Sequence, residues 1–215
     1  MDWFLENAWI IPLIPAVSFA LILAFGKHLP KGGSEIGLLS VGTSFVLAVG
    51  TGIAWIQRVN AGGAEGGAEG EHALGLVARA AEEGHHAIEP VIKTVTWFQF
   101  GGHEFPAGTM VDGLSVILLV TVTLVSLLVH VYSTEYLKGD RRFTHYFAFL
   151  SLFTASMLTL VIAQNTLMLL TAWELVGLCS FVLIGHWWEE QPNSDAALKA
   201  FITNRVGDIG LIIGV

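Results

Sequence analysis

One acidic residue, Glu174, lies in the middle of an apolar segment, Thr166–Ile184, which reads TLMLLTAWELVGLCSFVLI. A charged residue at the centre of a membrane helix costs about 2.5 to 3.5 kcal/mol to insert, and each large apolar neighbour offsets only about 0.3 to 0.6 kcal/mol. Acids kept at this depth usually face a protein interior or a water-filled path, where they handle protons or ions. We therefore predict that Glu174 is buried and handles protons or ions. The alternative is a protonated glutamic acid that hydrogen-bonds between helices.

A second polar group lies in the run FITNRVGDIG, close to the end of the sequence. Arg205 and Asp208 are three residues apart, so on a helix they share a face and can pair. Lys199 precedes Arg205 by about one and a half helical turns. Two roles stay open for this group. It is either an internal ion pair that orients the helix or a part of an ion path, in which Asp208 acts on a lysine of a helix beyond Val215.

His130, in the run LLVHVYSTEYL, is a third candidate. Histidine titrates near neutral pH, so this residue can relay protons. The alternative is a packing residue, either at the membrane interface or held by a hydrogen bond. Cys179 is close to Glu174 in sequence but points to a different helix face, and we predict that it is a small packing residue. His186 and the tryptophans after it fit an aromatic belt at the membrane surface.

Cofactor-binding motifs are absent from the sequence. It contains no phosphate-binding glycine loop, dinucleotide fingerprint or serine-hydrolase elbow, and one cysteine cannot hold an iron–sulfur cluster. His72, His85, His86 and His103 invite a metal site, but their spacing matches no recognised ligand set, so we predict a solvated loop without metal. Lys and Arg total 10 against 18 Asp and Glu, with no basic patch that would indicate nucleic acid.

The elements that must position these residues are membrane helices. Hydrophobic residues make up 53% of the chain and charged residues 13%, against about 25% charged in soluble domains. Each apolar run is long enough to cross a hydrocarbon core of about 30 Å. The sequence therefore predicts an all-α integral membrane protein, a polytopic bundle of about six transmembrane helices. The predicted spans are Ala8–Phe25, Ile36–Ile56, Val111–Ser133, Phe143–Ala163, Thr166–Ile184 and a sixth that opens near Ala196.

The predicted organisation has three parts. Residues 1–56 hold the first two helices, 57–110 form an extracytoplasmic loop, and 111–215 hold helices three to six. The loop starts Gly- and Glu-rich, and its later run VIKTVTWFQFGGHEF is typical of a short β-hairpin. Lys and Arg concentrate in alternate loops, so the positive-inside rule places the N-terminus outside. Because the sequence stops within a polar helix, we expect it to be the N-terminal part of a longer polypeptide.

The linked motifs then indicate a family. TAWELVGLCSFVLIGHWWEE, followed by AALKAFITNRVGDIGL, resembles the proton-translocating, antiporter-like subunit L of bacterial respiratory complex I, the counterpart of subunit 5 of mitochondrial NADH dehydrogenase. VDGLSVILLVTVTLVSLLVHVYSTEYL resembles the third helix of that family, and RRFTHYFAFLSLFTASMLTLVIAQN resembles its fourth. The resemblance runs from about Val111 to the end of the sequence.

The resemblance implies an inverted-repeat fold in the bacterial plasma membrane and a subunit of NADH:quinone oxidoreductase that itself carries no redox chemistry. Glu174 matches a family glutamate that pairs with a lysine of the seventh helix in a proton path coupled to quinone reduction elsewhere. Asp208, Arg205 and Lys199 match family residues beside that path, and His130 is our added candidate. NADH, FMN, iron–sulfur clusters and quinone are expected in other subunits. The expected partners are the lipid bilayer and other membrane subunits, especially a neighbouring antiporter-like subunit.

Two alternatives stay open. Large subunits of multisubunit Na+/H+ antiporters and membrane subunits of energy-converting hydrogenases share the WE helix, and a sodium site at Glu174 and Asp208 is compatible with the sequence. The GLCS and RVGD runs favour complex I. A different class is a non-transporting membrane scaffold of a larger complex, in which the charges only fasten helices together.

Overall fold

The computed structural model describes residues 2–29, 31–65 and 89–214. Their secondary structure is mainly helical, with one β-hairpin between the third and fourth helices. The helices are α1 (Asp2–Glu6), α2 (Ile10–Phe25), α3 (Ser34–Glu65), α4 (Gly113–Tyr136), α5 (Phe143–Val161), α6 (Thr166–Ile184) and α7 (Gln191–Gly214), with a 3-10 turn at Gly26–His28. The strands are β1 (Val91–Phe100) and β2 (His103–Val111).

Five of the described helices are long and apolar enough to cross a membrane, which confirms the predicted all-α, multi-pass membrane fold. The sixth predicted span is also a helix, α7, and it begins at Gln191 rather than near Ala196. It does not reach the apolarity of the other five because charged and amide side chains occur along it. The five candidate spans are Ile10–His28, Ser34–Ala61, Gly113–Tyr136, Phe143–Val161 and Thr166–Ile184.

Helix α3 is longer than predicted. It continues past Ile56 to Glu65, so the first residues of the predicted loop are helical. The apolar pattern ends near Ile56, whereas the backbone hydrogen bonds of the helix continue through the polar residues that follow. The rest of the predicted Gly- and Glu-rich linker, with His72, His85 and His86, lies outside the described residues, as does the side chain of His103.

The predicted β-hairpin is confirmed. Strands β1 and β2 pair antiparallel, from Val91 opposite Val111 to Phe100 opposite His103. The two residues that join them, Gly101 and Gly102, have φ values of 60° and 82°. A two-residue turn that matches the twist of a hairpin needs positive φ at both central positions, which glycine adopts without steric cost.

The hairpin holds the start of α6 in place. The Gln164 N–H donates to the Gly108 carbonyl over 3.2 Å, which joins β2 to the α5–α6 turn. Asn165 is the N-cap of α6, because its side chain accepts from the Met168 N–H at 2.8 Å. The same side chain donates to the Pro106 carbonyl at 2.5 Å. The first turn of the helix that carries Glu174 is therefore fixed to the hairpin.

Helices α2 and α3 contact each other through small polar residues. The Ser40 hydroxyl donates to the Ser18 hydroxyl over 3.0 Å, and the Ser44 hydroxyl donates to the Ile11 carbonyl over 3.0 Å. Small side chains let membrane helices approach closely, and their hydroxyls are satisfied between the helices. One apolar cluster between α2, α3, α4 and the end of α5 contains Ile11, Ala48, Leu119, Leu158 and Ile162.

A polar cluster joins the α4–α5 turn to the α6–α7 turn at the opposite end of the bundle from the hairpin. Asp140 accepts from the Arg142 backbone N–H at 2.7 Å and from the Trp187 indole N–H at 2.8 Å, and it lies 3.4 Å from His186 Nε2. Arg142 donates to the His186 carbonyl at 2.5 Å and pairs with Glu189. These contacts fix the end of α6 and the start of α7 against α5.

Candidate functional site

Glu174 forms an ion pair with Arg205. Glu174 lies on α6 and Arg205 on α7, and the short turn between these helices makes them antiparallel neighbours. The Glu174 Oε2 and Arg205 Nη1 atoms are in direct contact. Their side chains are 37% and 33% exposed within the described part of the chain. Glu174 is therefore half-buried within the described part of the chain, and its full burial stays a prediction.

The half-exposure follows from the helix face on which Glu174 lies. The two buried residues of α6, Ala172 and Cys179, are seven positions apart and share one face, on the side packed against α5. Glu174 is two residues after Ala172, which on a helix turns its side chain roughly to the opposite side. It therefore points away from α5 and toward α7. The burial of Cys179 agrees with its predicted packing role.

Arg205 also contacts Asp208, as the spacing of the two residues predicts. Arg205 Nη1 lies 3.4 Å from Asp208 Oδ2. Asp208 is only 8% exposed, the most buried charged residue of α7 among those described. A single guanidinium thus contacts two carboxylates, one on each helix.

Asp208 has a second donor that sequence reasoning missed. The Trp173 indole N–H donates to Asp208 Oδ1 over 2.7 Å, from the residue next to Glu174. The indole N–H of a buried tryptophan usually donates to a hydrogen-bond acceptor. The acid on the following helix, Asp208, was the acceptor from which this bond could have been predicted. The Phe201 ring lies under Arg205, with the guanidinium carbon 4.8 Å from the ring centre.

This arrangement can exchange protons only through its carboxylates. Arginine stays protonated in proteins, so Arg205 supplies a permanent positive charge. Asp208 accepts a hydrogen bond from Trp173 and contacts Arg205, whereas Arg205 is the partner of Glu174 within the described part of the chain. Glu174 therefore depends more strongly on the position of the guanidinium than Asp208 does.

Lys199 is not brought into this group. Its side chain is exposed on α7, closer to the start of the helix than Arg205, and it forms no ion pair with any residue that the structure describes. The structure therefore separates Lys199 from the three charged residues with which the sequence grouped it.

His130 belongs to a separate cluster on α4. It is fully buried, its Nδ1 lies 2.8 Å from the Ser126 carbonyl, and its ring packs against Phe147 at 6.0 Å. The Ser126 hydroxyl lies 2.6 Å from that of Thr154 on α5. His130 Nε2 has no hydrogen-bond partner among residues 2–29, 31–65 and 89–214. His130 is therefore buried and hydrogen-bonded within the bundle, and its role as a proton relay stays a prediction.

The fold and this site define a multi-pass membrane protein with charged residues paired between neighbouring helices. Two family models match the chain. Residues 97–147 match a family described as NADH-ubiquinone oxidoreductase (complex I), chain 5 N-terminus. Residues 163–215 match the transmembrane family described as NADH:quinone oxidoreductase/Mrp antiporter. The chain belongs to the family of antiporter-like complex I subunits designated 5 or L.

Relatives match over nearly the whole chain. F(420)H(2) dehydrogenase subunit L of Methanosarcina mazei is 36% identical over 210 residues, which is 98% of this chain and 26% of the relative. NAD(P)H-quinone oxidoreductase chain 5 of Picosynechococcus sp. is 33% identical over 223 residues, which is 100% of this chain and 29% of the relative. The chloroplastic subunit 5 of Nephroselmis olivacea is 34% identical over 222 residues. The chain thus spans less than a third of the length of these relatives.

A solved structure has the same fold. The membrane-bound sulfane sulfur reductase, described as an archaeal respiratory membrane complex, contains a chain that matches with a TM-score of 0.71 at 10% identity. The match covers 98% of this chain and 36% of the other. At this identity the likeness concerns the fold alone.

Proposed function

We propose that this chain is part of a proton-translocating membrane subunit of an NADH:quinone oxidoreductase, in which Glu174 takes up and releases protons under the control of Arg205. The observation that carries the proposal is the single guanidinium that contacts carboxylates on two neighbouring helices. The names of the relatives support the choice of enzyme, since they include NAD(P)H-quinone oxidoreductase subunits.

In the proposed mechanism the Arg205 side chain moves between two positions, one on Glu174 and one on Asp208. When the guanidinium contacts Glu174, it stabilises the ionised carboxylate. When it moves fully onto Asp208, whose Oδ2 is already 3.4 Å away, Glu174 loses its counter-ion and takes up a proton. Two unit charges at 4 Å interact by about 4 kcal/mol at an effective dielectric constant of 20, and the partial exposure of the pair reduces this value. Even half of that energy changes the proton affinity of a carboxyl by more than tenfold.

The electron chemistry lies elsewhere in the proposed complex. The relatives are named for different electron donors, F(420)H(2) and NAD(P)H, yet they match this chain from end to end. This part of the subunit therefore does not select the donor. We place NADH, FMN, iron–sulfur clusters and quinone in other subunits, and a second antiporter-like subunit beside this one. The proposed setting is a bacterial plasma membrane, with the N-terminus outside.

A cation antiporter is the second candidate. It is favoured by the description of the family matched by residues 163–215, which names the Mrp antiporter as well as the quinone oxidoreductase. Glu174 and Asp208 also offer the carboxylate oxygens that a small hard cation prefers. Under this hypothesis Glu174 exchanges Na+ for protons.

The test uses the full-length subunit in its complex, in inverted membrane vesicles. NADH oxidation and inward proton pumping are recorded together for the wild type, Glu174→Gln and the control Glu135→Gln, whose exposed acid lies at the membrane surface beside Lys138. We expect Glu174→Gln to assemble and oxidise NADH while it pumps fewer protons per NADH, and the control to match the wild type.

The other outcomes separate the alternatives. Equal pumping by Glu174→Gln and the wild type contradicts the role of Glu174. Loss of assembly in Glu174→Gln, with Glu135→Gln intact on native gels, favours the scaffold. Proton movement that stops when Na+ is withdrawn favours the cation antiporter.

A further inference from the structure

A cavity of about 780 Å³ opens at the end of the bundle that is opposite the β-hairpin. It lies between the 3-10 turn that follows α2, the start of α5, the end of α6 and the start of α7, so four regions of the chain contribute to its walls. Its basic lining residues come from three of these regions. They are Lys27, Arg141, Arg142, His145 and His186.

The charge of this cavity is opposite to that of the chain. The whole sequence has a formal net charge of −8, yet the lining contains three Lys or Arg residues and two histidines, and no acid. Glu189 and Asp140 already face Arg142 and His186 from outside the lining. Lys27 and Arg141 are exposed and have no ion pair with a described residue.

The basic groups converge on one place. Lys27, Arg142 and His186 line the same cavity as His145. Lys27 comes from the 3-10 turn after α2 and His186 from the turn after α6, so the two are brought together only by the fold. A convergence of positive groups from different helices is suited to one anion.

Apart from Thr144 and Ser194, the rest of the lining is apolar. Phe181, Val182 and Leu198 form a wall on α6 and α7, and Trp188 lies beside them with its ring 4.9 Å from the Arg142 guanidinium carbon. Tryptophan and basic residues favour the level of the lipid headgroups. An inorganic anion would leave this apolar wall unused, whereas a lipid uses both parts.

We propose that the cavity binds an anionic phospholipid, with its phosphate between Lys27, Arg141 and His145 and an acyl chain along Phe181 and Leu198. Basic pockets between transmembrane helices at a membrane surface bind anionic headgroups in this way. The site is distinct from the ion pair of Glu174 and Arg205, and it does not depend on proton translocation.

The experiment uses the complex with its full-length subunit in phosphatidylcholine vesicles that contain a graded fraction of photoactivatable phosphatidylglycerol. Cross-links to the peptides around Phe181 and Leu198 are counted by mass spectrometry. The variant Lys27→Ala/Arg141→Ala is compared with Lys31→Ala/Lys138→Ala. The control removes two lysines from the same end of the bundle, outside the cavity lining, where each pairs with a nearby glutamate.

We expect the cavity variant to need about 25-fold more phosphatidylglycerol for half-maximal cross-linking, about fivefold for each basic side chain, and the control to match the wild type. The charge-preserving variant Lys27→Arg/Arg141→Lys should retain binding, which separates loss of charge from misfolding. Equal cross-linking by photoactivatable phosphatidylcholine, or equal curves for both alanine variants, overturns the proposal. Competition by millimolar inorganic phosphate assigns the site to free phosphate and also overturns it.

Discussion

The indole N–H of Trp173 donates to Asp208 Oδ1 over 2.7 Å, from the residue that immediately precedes Glu174. The bond fixes Asp208 against α6, whereas Arg205, on the same helix as Asp208, contacts both acids. One acid therefore has a fixed donor, and the other depends on a long, movable side chain. This asymmetry is what makes Glu174, rather than Asp208, the proposed proton-exchanging group.

Trp173→Phe should weaken the whole site. Asp208 loses one of its two donors, so Arg205 is drawn onto Asp208 and away from Glu174. A hydrogen bond to a charged group contributes about 1.5 to 3 kcal/mol, so we expect a lower thermal midpoint of the complex and fewer protons pumped per NADH. The control is Trp97→Phe, at an exposed position on the hairpin. Unchanged pumping in Trp173→Phe would show that the hydrogen bond to Asp208 does not influence proton exchange at Glu174.

Arg205→Gln should be more harmful to stability than removal of both members of the pair. The single substitution leaves two carboxylates on facing helices without a cation, at a cost of about 1 to 3 kcal/mol at this half-exposed position. Glu174→Gln/Arg205→Gln leaves one acid, which Trp173 still stabilises, and we expect its thermal midpoint to lie closer to that of the wild type. Additive effects of the two substitutions would show that the residues do not interact.

Much of the bundle follows from local patterns. Apolar runs of membrane length, the two-glycine turn of the hairpin and the spacing of Arg205 and Asp208 depend on residues near one another in sequence, so each was predictable. The proton-relay role of His130 stays a prediction, and so does the catalytic role of each proposed site residue.

The contacts between helices were not predictable in the same way. The ion pair of Glu174 with Arg205 depends on the rotation of α6 about its own axis, which the hairpin sets through Asn165 at one end. The polar cluster around Asp140 sets it at the other end. Neither anchor is part of an amphipathic pattern, because α6 is apolar on nearly every face. The apolar run therefore predicts that α6 is a helix, but it does not predict which face of α6 contacts α7.

Asp140 should make the complex sensitive to acid. Burial by itself raises the pKa of Asp140, but the Arg142 and Trp187 N–H donors and the nearby His186 outweigh it and hold the pKa below its usual value. A carboxyl with a lowered pKa in the folded state stabilises the fold above its unfolded pKa of about 3.9, and this contribution is lost as the pH falls through the folded value.

The measurement compares thermal midpoints of the wild type and Asp140→Asn from neutral pH to about pH 2.5, a range that extends below the ordinary carboxyl pKa of about 3.9. We expect the variant to be less stable by about 1 kcal/mol at neutral pH and the difference to shrink toward the acid end. Asp195→Asn, at an exposed position on α7, is the control. A constant difference across the pH range would mean that the charge of Asp140 does not contribute.

His130→Phe tests the proton relay within a packed site. Phenylalanine fills similar space beside Phe147 but cannot carry a proton, so we expect the complex to assemble and to pump fewer protons per NADH. Tyr132→Phe, on the exposed side of α4, is the control for a conservative change on the same helix. Normal pumping in His130→Phe would leave His130 with a packing role alone.

Gly108→Ala should disturb the position of Glu174 from a distance. A Cβ at Gly108 would lie 2.6 Å from the Lys93 carbonyl oxygen and closer still to the Gln164 side chain, so β2 or the α5–α6 turn must shift. That turn carries the N-cap of α6, and a shift there rotates or translates the helix that holds Glu174. We expect a loss of about 1 to 3 kcal/mol in stability and reduced pumping.

The matched control is Gly101→Asn in the turn of the same hairpin. A Cβ there meets no described atom within 4 Å, and asparagine tolerates the positive φ of 60°. This variant should assemble and pump like the wild type. If Gly108→Ala behaves the same way, the hairpin does not position α6, and the orientation of Glu174 must be set by the contacts around Asp140 alone.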